Sequence, residues 1–508
     1  MCGIAGIWGN PDKKKLKSML DIIDHRGPDG KGRFVNNNFA LGHNRLSIID
    51  VLGGGQPISN EKGDKVLIFN GEIYNFKELR PLLKNHNFKT DTDSEVVLHL
   101  YEEFGPGAVK KLDGMFAFTI LDGDEIFIAR DPLGIKPLYY GYDKTKKDFY
   151  FSSEIKSLLK VTEDINEFPA GYHYHSNTGF GKYYELEDKK DFIDNMSFLL
   201  SVIPDKLEAA VKKRLMSDVP LGVFLSGGLD SSIISAIARK NTTGMLHSFA
   251  VGTPGSKDLK YSKELSRFIG TEHHVFEFGK KDILDVLPEV IYHLESYDPA
   301  LVRSSIPTFF VSRLASDFVK VVLSGEGADE IFGGYHYLKK IHDDDYLDVH
   351  DELLNITRNL HNTNLQRADR LTMANSIEGR VPFLDIDLVS SAFKVSPELK
   401  LYTEGNKKDL TEKWILRKIA ERYLPKSHIW RKKEKFAIGT GTAQILEEHA
   451  EKMVTDKDLE KTLDSKDLGI SSKEELYYYN IFKEFYSVKK VTDSVGKSRS
   501  LNPGQIYS

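Results

Sequence analysis

At 508 residues the chain has the length of roughly two to four domains with large cores. A formal net charge of −5 gives nucleic acid no electrostatic reason to bind, and no run of 18 apolar residues is present to cross a membrane. Cys2 is the only cysteine, which excludes an intramolecular disulfide and a cysteine-built metal cluster; MCGIAGIWGN lacks the basic start and long apolar centre of a signal peptide, so a cytoplasmic location is expected.

Cys2 stands directly behind Met1. Loss of Met1 would place a thiol and a free α-amine on one residue, and that amine can act as the base for its own side chain. A buried structural cysteine is the alternative. From residue 3 to about 185, short apolar-alternating runs (Ile4–Trp8, Phe39–Gly42, Lys65–Phe69, Met115–Leu121, Ile126–Ala129, Phe149–Phe151) are separated by turn clusters such as Gly53-Gly54-Gly55. That pattern predicts a strand-rich α+β unit with one clear helix over Ser94–Phe104, whose Val96, Val97, Leu100, Tyr101 and Phe104 share a face. Taken singly, Asn70-Gly71 also reads as a hairpin turn and Asp93 as a helix cap.

The motifs His25-Arg26-Gly27-Pro28-Asp29, Asn44–Asp50, Asn70–Asn75 and Thr92–Glu95 follow MCGIAG and precede RDPLGIKPLYY (130–140) and FPAG (168–171). In order and spacing they resemble the class II glutamine amidotransferase domain. The resemblance implies an N-terminal Ntn-hydrolase αββα sandwich over residues 1–185, with Cys2 as nucleophile and Asn70 and Gly71 as the oxyanion hole. It also implies glutamine gripped by Arg45, Asp93 and Glu72, assisted by Leu46, Ser47, Ile48 and Ile49. The chemistry suits the residue types: an oxyanion calls for an amide and a backbone N–H, and a zwitterionic amino acid calls for one cation and one carboxylate.

Residues 186–202 are charge-rich and aperiodic and read as a linker to a second domain, 203–508. A helix over Pro204–Met216 leads to a buried strand at Leu221–Leu225, a Ser226-Gly227-Gly228 turn and a helix carrying Ser231 and Ser232. Strands Leu246–Val251, His274–Phe278 and Val319–Leu323 alternate with helices, the pattern of a doubly wound parallel α/β sheet. Beyond Ala392 the chain reads as additional helices, with a loosely ordered tail of about fifteen residues. Ligands of such sheets lie at the carboxyl ends of strands. Two polar, glycine-rich loops fall there: Ser226-Gly227-Gly228-Leu229-Asp230-Ser231-Ser232, and Ser324-Gly325-Glu326-Gly327-Ala328-Asp329-Glu330. The first is not a Walker A loop, since no lysine sits where one reaches phosphate; an ordinary Gly-Gly turn is its bland alternative.

SGGLDSS resembles the PP-loop of ATP pyrophosphatases. Together with HSFAVG, RSSIP, VLSGEGADEIFGGY, EGRVPFLD and WRKKEKF it is similar to the synthetase half of the glutamine-dependent asparagine synthetase family. That resemblance implies ATP held by Leu225, Ser226, Gly227, Gly228, Asp230, Ser231, Val251, Ser324 and Gly325, with Mg²⁺ on Asp230 and Asp329. Glu326 and Lys433 would serve adenylation of aspartate and its attack by ammonia, and Arg303 would bind aspartate; solvated loop acids and a solvated basic face are the bland readings. One departure stands before Arg303: the chain reads Asp298-Pro299-Ala300-Leu301-Val302 where some members carry threonines. Amidation of another free carboxylate is therefore the alternative. Expected partners are the small molecules glutamine, aspartate and ATP, with no nucleic acid and no membrane; a homodimer is left open.

Overall fold

The computed structural model describes every residue except 146, 404–409, 432–438, 465–468 and 499–508. The N-terminal part is built on two six-stranded sheets stacked face to face. In one, Gly3–Trp8 lies antiparallel between Phe39–Arg45 and Phe149–Ser152. In the other, Lys65–Ile73 pairs along its whole length with Gly114–Asp122. Strand alternation assigns the faces. Ile4, Phe39, Leu41, Val66, Ile68 and Ala117 meet between the sheets. Their neighbours point the other way: Ala5, Ile7 and Ala40 cover Leu16, Met19 and Leu20 of the helix Lys13–Asp21. Leu67, Phe69, Phe116 and Phe118 cover Val96, Val97 and Leu100 of the helix Glu95–Phe104. Each large side chain buried this way contributes about 1.5–3 kcal/mol. The layers run helix, sheet, sheet, helix, the expected αββα sandwich.

The C-terminal part holds one parallel five-stranded sheet in the order Glu272–Glu277, His247–Gly252, Leu221–Phe224, Val321–Leu323, Glu378–Arg380. The first strand in the chain is thus central, and the connections leave it in opposite directions. This makes a topological switch point between Leu221–Phe224 and Val321–Leu323, where the loops leaving both carboxyl ends open into one crevice. Helices Met196–Lys213 and Leu229–Lys240 bury Ile203, Leu207, Ile233 and Ile237 with Val223 and Leu323 on one face. Helices Lys280–Leu294 and Pro299–Ser316 pack with Phe249, Val251 and Val322 on the other.

The helix expected from Pro204 starts instead at Met196, where the Asn195 side chain accepts the Phe198 N–H at 3.1 Å. Proline favours a first turn, but here the helix runs through Pro204 because Leu199 and Ile203 are buried with the residues that follow. The strands expected at His274–Phe278 and Val319–Leu323 are Glu272–Glu277 and Val321–Leu323. Most of the expected loose tail, 499–508, lies outside the described residues; just before it, the Ser498 N–H bonds Asp298 Oδ2 at 3.0 Å. Among the described residues no helix is long and apolar enough to cross a membrane.

Two candidate active sites joined by one helix

Cys2 immediately precedes the strand Gly3–Trp8, and the strand Lys65–Ile73 of the facing sheet brings Asn70 beside it. The Cys2 N–H donates to Asn70 Oδ1 at 2.9 Å. Asn70 Nδ2 is buried and has no hydrogen-bond partner among the described residues, so both its donors are unspent. Arg26 Nε donates to the Cys2 carbonyl at 3.0 Å. Glycine is required at position 71, where a Cβ would lie 2.0 Å from the Met115 carbonyl oxygen. Cys2, Arg45, Leu46, Ile48, Ile49, Gly71, Glu72 and Asp93 line one small cavity of about 30 Å³. Of the expected residues, Asn70 stands behind Cys2, and Ser47 is held away by its N–H bond to Asp29 Oδ2 at 2.7 Å.

The cavity brings the Arg45 guanidinium together with two acids, Glu72 and Asp93. The Arg45 guanidinium is steered by the carbonyls of Asp50 at 2.7 Å and Val51 at 3.0 Å. Asp93 accepts the Ile73 N–H at 2.6 Å, and burial pushes its carboxyl up to about 7. Burial, with Glu378 and Asp93 nearby, pushes Glu72 well up too. Burial also raises the Cys2 thiol, against the pull of the terminal ammonium, the Leu46 backbone and Arg45. Met1 is itself buried, its side chain packed with Leu46, Ile48, Val321 and Met373. Its ammonium lies 2.9 Å from Glu378 Oε2. Burial opposes the charge on Glu378, but that ammonium and Arg380 override it and hold the carboxyl at about 2. Arg380 also reaches Glu72 at 3.4 Å. Glu378 and Arg380 come from the edge strand of the parallel sheet, more than three hundred residues away in sequence. Nothing local in the EGRVPFLD motif signals that reach.

The second site is a cavity of about 1360 Å³ over the switch point. Ser226, Gly228, Asp230, Ser231, Val251, Ser324, Gly325, Glu326 and Asp329 line it, as expected from the two loops. Leu225 is fully buried beneath, its N–H on the Phe249 carbonyl at 2.9 Å. Gly227 takes φ +77° in the turn, and a Cβ there would sit 2.6 Å from Tyr261 Cβ. The loops touch: a Cβ on Gly325 would lie 2.7 Å from the Ser231 nitrogen, at the N-terminal turn of the helix Leu229–Lys240. Ser226 Oγ and Ser231 Oγ are 3.1 Å apart at that turn. Backbone donors and small hydroxyls grouped there suit an anion.

Asp230 and Asp329 converge on one point, occupied by Lys413 Nζ at 2.6 Å from Asp230 Oδ2 and 2.5 Å from Asp329 Oδ1. Asp230 Oδ1 is buried without a hydrogen-bond partner among the described residues. Two hard carboxylates aimed at one place, one with an oxygen to spare, are a donor set that fits a hard divalent cation such as Mg²⁺, which would share the place with Lys413. Lys433 lies outside the described residues. Glu326 pairs with Arg367, whose Nη1 donates to Ser304 Oγ at 2.8 Å. Arg303 faces the cavity, but its Nε donates to Glu474 Oε1 at 2.7 Å and its Nη2 to the other oxygen of the same carboxylate. Ala300 and Leu301 of the departing segment and Ser304 just after it line the cavity, Leu301 while also packed in the core, whereas Ser305 is fully buried away from it. Glu330 is an acid the motifs did not single out: burial first, then Asp329 and Glu326, push it to about 7.

The helix Asn364–Met373 touches both sites. Asp369 accepts from Arg26 Nη1 at 2.8 Å, next to Cys2, while Arg367 on the same helix holds Glu326.

Comparison with known proteins gives a match to the glutamine amidotransferase domain over residues 1–176 and to asparagine synthase over 203–347 and 342–493. Asparagine synthetase [glutamine-hydrolyzing] 1 of Arabidopsis thaliana is 41% identical over 96% of this chain and 87% of its own. Asparagine synthetase B of Escherichia coli K12 is 40% identical over 97% of this chain and 93% of its own. The probable asparagine synthetase of Schizosaccharomyces pombe is 39% identical over 96% and 94%.

Proposed function

The chain belongs to the glutamine-hydrolysing asparagine synthetase family, and from that premise we propose that it converts L-aspartate to L-asparagine, with ATP as activator and glutamine as nitrogen donor. The observation that carries the ATP half is the contact of the two glycine-rich loops at the switch point, where Gly325 meets the Ser231 nitrogen and Asp230 faces Asp329.

At the small site, Cys2 attacks the glutamine carboxamide once Met1 is gone and its α-amine can take the thiol proton. Asn70 Nδ2 and the Gly71 backbone receive the oxyanion. Arg45 and ionised Asp93 hold the α-carboxylate and α-ammonium, with Glu72 beside them. Ammonia leaves and a thioester forms, which water hydrolyses to glutamate. Met1 fills the space between Cys2 and Val321 and Met373 of the second domain, so its removal opens that space toward the helix that carries Arg367.

At the large site, Asp230 and Asp329 would hold Mg²⁺ on the ATP phosphates, where it offsets charge on the departing pyrophosphate. Lys413 lies between the same two acids, so we assign it a share of that task beside Lys433. The aspartate β-carboxylate attacks the α-phosphorus and pyrophosphate leaves. Ammonia then displaces AMP from the β-aspartyl adenylate, with Glu326, positioned by Arg367, taking the proton.

Product mass after incubation with ATP, Mg²⁺, glutamine and a panel of carboxylic acids tests the reading. Asparagine with equimolar AMP is expected. An amide of another acid, with none from aspartate, moves the protein to the alternative that Ala300-Leu301 raises.

A further inference from the structure

Away from both sites, four side chains of the N-terminal domain point their donor atoms at one spot. Glu61 comes from the turn after the strand Ile58–Ser59, His86 from the segment ahead of the helix Glu95–Phe104, and His99 and Glu102 from adjacent turns of that helix. His86 Nδ1 lies 3.4 Å from Glu61 Oε1 and 3.5 Å from Glu102 Oε2. His99 Nδ1 lies 2.9 Å from Glu102 Oε2 and 3.9 Å from Glu61 Oε2. A tetrahedral ion with ligands at about 2.0–2.1 Å spaces them by about 3.3–3.4 Å, and the four separations straddle that value. We propose that these residues form a zinc site, independent of either reaction centre.

The surroundings are those a metal-bound imidazole requires. His99 Nε2 is 3.5 Å from Glu95 Oε1, and His86 Nε2 is 3.2 Å from Glu103 Oε1. The Glu103 carboxylate hydrogen-bonds His86 at Nε2 and leaves its Nδ1 for the ion, while Glu95 stands behind the His99 ring without a hydrogen bond to it among the described residues. The acids are braced as well. Glu61 Oε1 accepts the Asn87 N–H at 2.7 Å, and Glu102 Oε1 accepts from Asn60 Nδ2 at 2.7 Å, which leaves Oε2 of Glu102 turned to the centre. His99 is buried, and Phe88 closes one side with its ring 4.7 Å from that of His99.

Charge separates this assignment from a plain ion-pair cluster. Glu61, Glu95, Glu102 and Glu103 bring four negative charges to two imidazoles. A divalent ion would supply two positive charges to this acid-rich cluster. Two nitrogens and two carboxylates suit zinc, whereas Mg²⁺ and Ca²⁺ take all-oxygen shells. Such an ion would pin the segment that runs into Thr92 and Asp93, since Glu95 also accepts the N–H groups of Lys89 at 2.8 Å and Thr90 at 2.7 Å.

The test uses the full-length chain with Cys2→Ser, so that no thiol competes, stripped with chelator and kept in excess Mg²⁺. At about 1 μM free Zn²⁺ we expect one zinc per chain by elemental analysis, a raised midpoint of thermal unfolding, and the strong visible bands of tetrahedral Co²⁺ on cobalt substitution. His86→Asn and Glu102→Gln should each weaken binding more than tenfold, and Glu103→Gln by about 10–100-fold. Zinc absent at that concentration, a weak octahedral cobalt spectrum, or binding unchanged in His86→Asn would each overturn the site. His86 lies in a surface segment, and an unfolding midpoint of metal-free His86→Asn equal to that of its metal-free parent shows that the comparison is between folded proteins.

Discussion

The Met1 ammonium lies 2.9 Å from Glu378 Oε2, and both groups are fully buried. The first residue of the N-terminal domain is therefore held by the last strand of the other domain's sheet, directly beside the thiol that needs a free α-amine. A chain that keeps Met1 has its Cys2 nitrogen locked in a peptide bond and cannot use it as a base. The active protein is expected to lack Met1 by intact mass. A preparation that retains the methionine should show ammonia-dependent but no glutamine-dependent synthesis; full glutamine-dependent activity with Met1 in place would remove the base assignment.

Asn70 offers a cleaner probe of the same site, because its Oδ1 and Nδ2 have separate tasks. Oδ1 accepts the Cys2 N–H, while Nδ2 has no partner among the described residues. Asn70→Ala should cut glutaminase kcat by about 10²–10³-fold, with a small change in KM for glutamine and none in ammonia-dependent synthesis. Cys2→Ala should abolish glutamine-dependent turnover and likewise spare the ammonia reaction. Steady-state rates with each nitrogen donor decide; a Cys2→Ala protein equally dead with ammonium chloride ends the division of labour proposed here.

The pH dependence of glutamine binding follows from Asp93. Burial raises its carboxyl to about 7, so below that pH the acid is protonated in the free protein and cannot pair with an α-ammonium. As pH rises through about 7 the carboxylate forms, and kcat/KM for glutamine should rise with it. The stability effect runs in the opposite direction. An acid whose folded value exceeds its unfolded one costs nothing below the unfolded value, and the cost grows as pH climbs from there to about 7. Asp93→Asn should flatten both trends. A glutamine kcat/KM profile flat between pH 6 and 8 in the parent protein would show that Asp93 is already ionised.

What the sequence displayed and what it concealed divide along the range of the interactions. Cys2, Asn70-Gly71 and SGGLDSS were legible because each carries its chemistry within a few residues, and alternation in runs such as Lys65–Phe69 sets the sheet faces. Lys413, Glu378, Arg380 and Arg367 were not, because each gains its meaning from partners far away in the chain: Asp230 for Lys413, Met1 for Glu378, Glu72 for Arg380, and Ser304 for Arg367. An isolated lysine or arginine in a helical stretch has no periodic or motif signature. The helix start at Met196 was hidden by Pro204, whose usual place is a first turn.

Asp230→Asn separates the two chemistries from the other side. The substitution leaves Lys413 one carboxylate instead of two and removes a hard oxygen ligand from the phosphate end of the large cavity. Pyrophosphate release should fall by at least about a hundredfold, while glutamine hydrolysis at Cys2 continues. Loss of both activities together, in a protein with parental unfolding behaviour, would mean that the sites are not built from separate residues.

The acceptor is the last question, and Arg303 is where it is decided. Selecting L-aspartate requires a cation for its α-carboxylate, and of the described arginines that line the large cavity (Arg303, Arg367, Arg417 and Arg431) the first two flank Ser304 beside the departing segment. Arg367 is committed to Glu326 and Ser304. Arg303 spends Nε and Nη2 on Glu474, but a guanidinium has five N–H donors, and its remaining edge can take a second carboxylate. Ser304 Oγ, already bonded to Arg367 and facing the cavity, is the hydroxyl we propose in place of one of the threonines this chain lacks, rather than Ser305, which is buried away from the cavity. A hydrogen bond lost at such a site costs about 1–3 kcal/mol when its partner stays buried, so the replacement matters. Arg303→Gln is expected to raise KM for aspartate more than tenfold in ATP–pyrophosphate exchange while KM for ATP holds, and Ser304→Ala to raise it less. If Arg303→Gln leaves aspartate binding intact and Arg367→Gln abolishes it, the α-carboxylate belongs to Arg367. Exchange that ignores L-aspartate but answers another carboxylate gives the cavity a different substrate.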